Sequence, residues 1–246
     1  MHRLSEAIKS LVLSLKSSVS EKVIVPVQLT GFYRKPVIVV LGLLISMDLY
    51  SHPHSWIDLQ TTLYLNDAGQ LTQIIQRWEF DPYYSSITLA DLKKEYPNEM
   101  EGLQFRAEEM VRNLRDYHYF SDLRIDGFNV PMGTPNEYSL NNKRREAENI
   151  LELEMAFDLG DGVTLKQSTL TLQVYDPTYY IAMAHSSDDH IHVISHNALS
   201  CQKKLITPEP PNDLISYALS LDRNETSSNG LGIKFAETVE IRCSSL

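Results

Sequence analysis

Two imidazoles and a carboxylate share one seven-residue stretch, His52-Pro53-His54-Ser55-Trp56-Ile57-Asp58. Imidazole nitrogens suit zinc, copper and nickel, and a carboxylate beside them is compatible with zinc. If the chain is cut after Ser51, His52 becomes the first residue. Its α-amine and ring could then hold one ion, with His54 as a third nitrogen and Asp58 close by. Pro53 has no backbone N–H, which excludes the amino-terminal copper clamp that needs an N–H at the second residue. Proline also stiffens the segment and lowers the entropy cost of gathering ligands. The competing reading is a frayed end with two solvated histidines.

A second set is Asp188-Asp189-His190-Ile191-His192, with His196 four residues on. Residues two apart on a strand share a face, so His190 and His192 are expected to point one way and Ile191 and Val193 inward. The competing reading is an exposed polar edge. A third set is the pair of aspartates in Trp78-Glu79-Phe80-Asp81-Pro82-Tyr83-Tyr84 and Val174-Tyr175-Asp176-Pro177-Thr178-Tyr179-Tyr180. Either these are turns packed by aromatics, or Asp81 and Asp176 converge on one mouth of a sheet.

The elements that must place these groups are mostly strands. Trp56–Leu65 and Leu71–Phe80 alternate around an Asn66-Asp67-Ala68-Gly69 turn and predict a hairpin. Ile87–Tyr96 is a short helical candidate. A longer helix follows Asn98, carried by Leu103, Ala107, Met110, Val111 and Leu114 at helical spacing; His118 is expected at its C-terminal end, where an imidazolium favours the dipole. Asp122–Met132 reads as a second hairpin about Asp126-Gly127. Ile150–Leu159 and Ser168–Tyr175 read as strands joined at Gly160-Asp161-Gly162, and Tyr179–His185 with His190–Ser195 as another antiparallel pair. Asn212–Leu221 is a helix and Ile233–Cys243 the last strand. The sum is one α+β domain of mostly antiparallel hairpins with two or three helices.

Ahead of it, Arg34-Lys35, the apolar run Val37–Met47 and Ser51 have the three parts of an export signal. The run is shorter than the ~20 apolar residues that span a bilayer; the alternative is a buried core segment. Thirty-three residues precede Arg34, which is long for a signal. The expected division is a leader over 1–51 and an exported domain over 52–246. The leader holds six Lys/Arg and three Asp/Glu. Its loss takes the formal charge from −10 to −13. Such a surface repels nucleic acid and attracts cations. Cys201 and Cys243 form an even pair in an oxidising compartment, which reads as one disulfide closing about 40 residues and contributing roughly 3–4 kcal/mol; a two-thiolate zinc site is the rival. No Gly-x-Ser-x-Gly, phosphate-binding glycine loop or His-Glu-x-x-His is present, and nothing in the pattern argues for an enzyme.

At several of these residues the chain resembles an exported bacterial family of unknown function, often described as a periplasmic component of an uncharacterised ABC-type transport system, with the ZevA-like proteins as one branch. The matching pieces are His52-Pro53-His54 with Ile57-Asp58, Arg77-Trp78 with Phe80-Asp81, Tyr119-Phe120 with Asp126-Gly127, Val174 to Tyr180, Cys201 and Cys243. His190 and His192 are outside that pattern. The resemblance implies a periplasmic, non-catalytic protein that handles zinc, or nickel or cobalt. Its partner would be an inner-membrane permease of the nickel/cobalt-exporter-like type. A subunit that docks on a permease without binding metal is the alternative.

Overall fold

Alternation sets the first strand. In β1 (Ser55–Leu65) the odd-numbered residues from Ile57 to Leu65 are buried, and Trp56, Asp58, Gln60 and Tyr64 face outward. The structure is a computed structural model, and it describes residues 53–195, 199–221 and 230–245. The expected leader, His52 and His196 lie outside the described residues.

The Asn66–Gly69 turn returns the chain as β2 (Gln70–Phe80), antiparallel to β1 with Leu59 opposite Trp78. Asp81 then starts a helix. Its carboxylate accepts the Tyr84 N–H at 2.8 Å, and Pro82 occupies the first turn, where a missing N–H costs nothing. So α1 runs Pro82–Glu95, five residues earlier than expected, because the Asp-Pro read as a turn is a cap. Asn98 caps α2 (Glu99–Leu114) by accepting the Met100 N–H. The helix ends before His118, which is not at a helix terminus. His118, Tyr119 and Phe120 instead take the left-handed conformation in succession, φ 51°, 54° and 55°.

The turn delivers Tyr119 and Phe120 into the core, where Tyr119 meets Phe157 edge-on and Phe120 stacks over Trp78. Beyond it come β3 (Ser121–Ile125), β4 (Phe128–Asn129), β5 (Glu137–Arg145) and β6 (Glu148–Thr164). The glycines at 160 and 162 do not join two strands as expected. They lie inside β6, which bulges opposite β2 between the Leu71–Val163 and Gln73–Asp158 pairs. Gly162 sits at φ +83°, and a Cβ there would meet the Gln70 Cβ at 3.0 Å.

β7 (Thr169–Val174), β10 (Leu199–Ile206) and β11 (Thr238–Ser245) join β3 and β4 in a five-stranded sheet ordered β10-β11-β7-β3-β4. The larger sheet is β5-β6-β2-β1, with β8 (Ile181–Ala184) and β9 (Ile191–Ser195) both on the far edge of β1. These two do not pair with each other. They lie in tandem, parallel to β1, with Ser55 opposite Ile181 and Thr61 opposite Ile191. One long edge accepts both, which buries Ile181, Met183 and Ile191 under the sheet. A hairpin would have left that edge unpaired.

The last helix, α3 (Asn212–Ser220), rests on a small cluster of Ala218, Leu221 and Leu231. The molecule is therefore α+β, with two mostly antiparallel sheets and three helices among the described residues. Cys201 stands opposite Cys243 on β10 and β11, and the two form a disulfide. Among the described residues no helix is long and apolar enough to cross a membrane.

Candidate functional site

The sequence-singled residues gather where β1 begins. The His54 N–H donates to the Tyr180 carbonyl at 2.9 Å, and the two rings lie 4.5 Å apart. The neighbouring Ser55 hydroxyl donates to Asp81 Oδ2. Ser55 also pairs with Ile181, whose N–H donates to Asp176 Oδ2 at 3.0 Å. Asp81 and Asp176 thus flank the entry of β1 at one end of the larger sheet.

Both carboxylates work on their own loops. Asp81 holds the α1 cap and Ser55. Asp176 Oδ1 accepts the N–H and hydroxyl of Thr178 at 2.9 and 2.8 Å. Asp176 is 1% exposed, and burial raises its pKa above the usual carboxylate range, against the lowering pull of those hydrogen bonds. A cation would have to displace these donors.

Asp58 is placed differently. It lies on the outward face of β1, opposite Glu79, and Glu79 is opposite Glu152 on β6. Three acids therefore occupy one row across three strands, an arrangement that repels itself unless countered. Lys143 reaches Glu152 and Arg145 reaches Glu79, each at 2.5 Å. Burial raises the Glu79 pKa, Arg145 opposes that, and Glu152 and Asp58 add to it. Asp58 has no Lys or Arg partner among the described residues. Its Oδ1 lies 3.3 Å from His190 Nδ1 and accepts the Ser186 N–H at 3.2 Å. Both side chains of the Asp58–His190 pair are about a third exposed.

His190 closes a 3-10 turn instead of standing on β9, so it and His192 do not share a strand. His192 is exposed on β9, opposite Thr62, with Ile191 buried beside it.

Sequence reading missed His185 and Glu237. The His185 N–H donates to Glu237 Oε2 at 2.8 Å, its Nδ1 lies 3.4 Å from the same oxygen, and its Nε2 is 3.0 Å from the Thr61 hydroxyl. Hydroxyl, imidazole and carboxylate stand in the order of a hydrolytic triad. Thr61 is 1% exposed, however, and His185 is buried; no reacting group can approach the hydroxyl. The set ties β8 to the chain ahead of β11. No local signal links residues 61, 185 and 237; only their shared packing does.

Among the described residues, no three His, Cys, Asp or Glu side chains meet in a geometry that would hold an ion. What the described residues do offer is a carboxylate–imidazole pair where β1 meets the link between β8 and β9, beside Glu79 and Glu152, which Arg145 and Lys143 already pair.

This is a two-sheet α+β domain closed by a disulfide, with its candidate site at the β1 edge. The chain belongs to the protein family of unknown function DUF1007, whose model matches residues 37–243. It is also 34% identical over 212 residues to an uncharacterized protein of Haemophilus influenzae, across 83% of this chain and 97% of that protein.

Proposed function

We propose that this is an exported, non-catalytic metal-handling protein. It binds zinc, or nickel or cobalt, in the periplasm and passes the ion to an inner-membrane permease of the nickel/cobalt-exporter-like type. The observation that carries this reading is the Asp58–His190 pair. Two ligands about 2.1 Å from a tetrahedral zinc ion lie roughly 3.4 Å apart, and Asp58 Oδ1 and His190 Nδ1 are 3.3 Å apart. The acidic charge of the chain and its resemblance to the ZevA-like branch support the same reading. His54 and, at a cleaved amino end, His52 would offer a second set of nitrogen ligands at the start of β1, roughly 13 Å along the strand from Asp58. Asp81, by fixing Ser55, and Asp176, by fixing Ile181, would hold that end of the sheet in place.

The test is calorimetric titration of the protein, in the form the cell makes it, with zinc. Asp58→Asn, His190→Ala and the His52→Ala/His54→Ala double variant are each expected to weaken binding by roughly tenfold or more. Binding that is absent from the wild type, or unchanged in all three variants, removes the reading.

A second reading is a docking subunit that binds no metal. It draws on α3, where Ile215, Tyr217 and Leu219 are exposed. Co-purification with a permease that survives loss of the histidines, and fails on Leu219→Asp, would favour it.

A further inference from the structure

A cleft of about 580 Å³ opens beside the left-handed turn, and Asp58 is not among its lining residues. Its volume is within the range of small-molecule sites. The turn supplies one wall. Tyr119 and Phe120 point inward as core anchors, and His118 is left exposed on the lining. The Tyr175 N–H donates to the Phe120 carbonyl at 2.9 Å and pins the turn to the loop that carries Pro177. Three consecutive non-glycine residues at positive φ are costly, about 1 kcal/mol or more each, and here the burial of two aromatic rings offsets that cost.

The charge of the lining runs against that of the chain. The molecule is −10 overall, yet the charged groups facing the cleft are Arg115, Arg124 and Asp122. Asp122 is committed. Its two oxygens accept from Arg124 Nε and Nη2 at 3.0 and 2.9 Å, and Oδ1 also accepts from Asn129. This fork holds the Arg124 guanidinium in one orientation. Arg124 Nη1 makes only a 3.5 Å contact, to the Gly127 carbonyl. Arg115 is largely exposed, with Asp116 3.8 Å away. Met132 and Phe120 give the cleft an apolar floor, and Tyr175 is half-buried on its lining.

We infer that this cleft binds a small organic carboxylate with a flat apolar body. With Nε and Nη2 taken by Asp122, Arg124 Nη1 and the exposed Arg115 guanidinium remain to donate to a carboxylate. Aromatic and thioether surfaces match a flat ring. Polyanions such as nucleic acid are disfavoured, since two guanidiniums cannot offset the charge of the whole molecule. A bare cation is disfavoured because the single lining acid is spent on Arg124. The inference is independent of metal binding at Asp58.

The test uses benzoate and its neutral isostere benzamide, titrated into the full protein and read by ligand-observed NMR. Benzoate is expected to bind, and benzamide roughly tenfold more weakly, as loss of a charge-assisted hydrogen bond implies. Arg124→Gln and Arg115→Gln are each expected to weaken benzoate about tenfold and leave benzamide unchanged. Arg115 is exposed, so its variant folds even if Arg124→Gln frees Asp122 and loosens β3. Absence of benzoate binding, equal binding of the two probes, or full benzoate affinity in Arg115→Gln overturns the inference.

Discussion

One carboxylate oxygen of Glu237 accepts the backbone N–H of His185 at 2.8 Å and lies 3.4 Å from its ring Nδ1, a contact without a hydrogen bond. Residues 52 positions apart in the chain thereby anchor the point where β8 leaves the edge of β1. Glu237→Ala would strand a buried N–H beside a buried ring, a change that costs about 2–3 kcal/mol. Glu237→Gln keeps an acceptor and should lose less than half of that. Urea midpoints of the two variants check the order, and equal losses would show that the charge, not the acceptor, is what His185 needs.

Asp176 makes stability depend on pH. Burial raises its folded pKa above the ordinary value of 3.8. The folded state therefore holds the proton more tightly than the unfolded chain. The stabilisation is complete below the unfolded pKa and is lost as pH rises through the folded pKa. The stability of wild type minus that of Asp176→Asn should fall as pH rises above the ordinary carboxylate value and through the raised folded one. Urea midpoints across that range measure it. A rise instead would mean that the hydrogen bonds from Thr178 and Ile181 outweigh burial.

Gly232 is needed for space. A Cβ there would lie 1.8 Å from the Asp176 carbonyl oxygen. The Gly232 N–H also donates to the Pro177 carbonyl at 3.2 Å, so the two segments cannot simply part. Gly232→Ala is expected to cost about 3 kcal/mol or more. Thermal unfolding gives the value, and a shift of only a degree or two would show that the 176–177 loop can yield.

The Cys201–Cys243 disulfide spans 42 positions. Removing it as Cys201→Ala/Cys243→Ala should cost roughly 3–4 kcal/mol through a freer unfolded chain. Reduction of the wild type should lower the urea midpoint to that of the double variant. A reduced wild type no less stable than the oxidised one would count against this account.

Local pattern revealed much of the fold. The alternation of Ser55–Leu65 and Gln70–Phe80 and the Asn66 turn specify the first hairpin, since period two and turn chemistry are properties of adjacent residues. The Asn98 cap and the helical spacing of Leu103 to Leu114 are local in the same way. Asp81-Pro82 misled because a strand stop and a helix cap use the same two residue types. The glycines at 160 and 162 misled because a bulge and a turn both demand positive φ.

The amino-acid sequence by itself settled the α+β class, the first hairpin and the candidacy of Asp58 and His190. Tertiary structure alone decided that β8 and β9 lie in tandem along β1, that Glu79 and Glu152 line up beside Asp58, and that His185 meets Thr61 and Glu237. Those relationships depend on register and on which edge is free. Both are set by burying apolar faces across long separations in the chain, and no short stretch of residues carries that information.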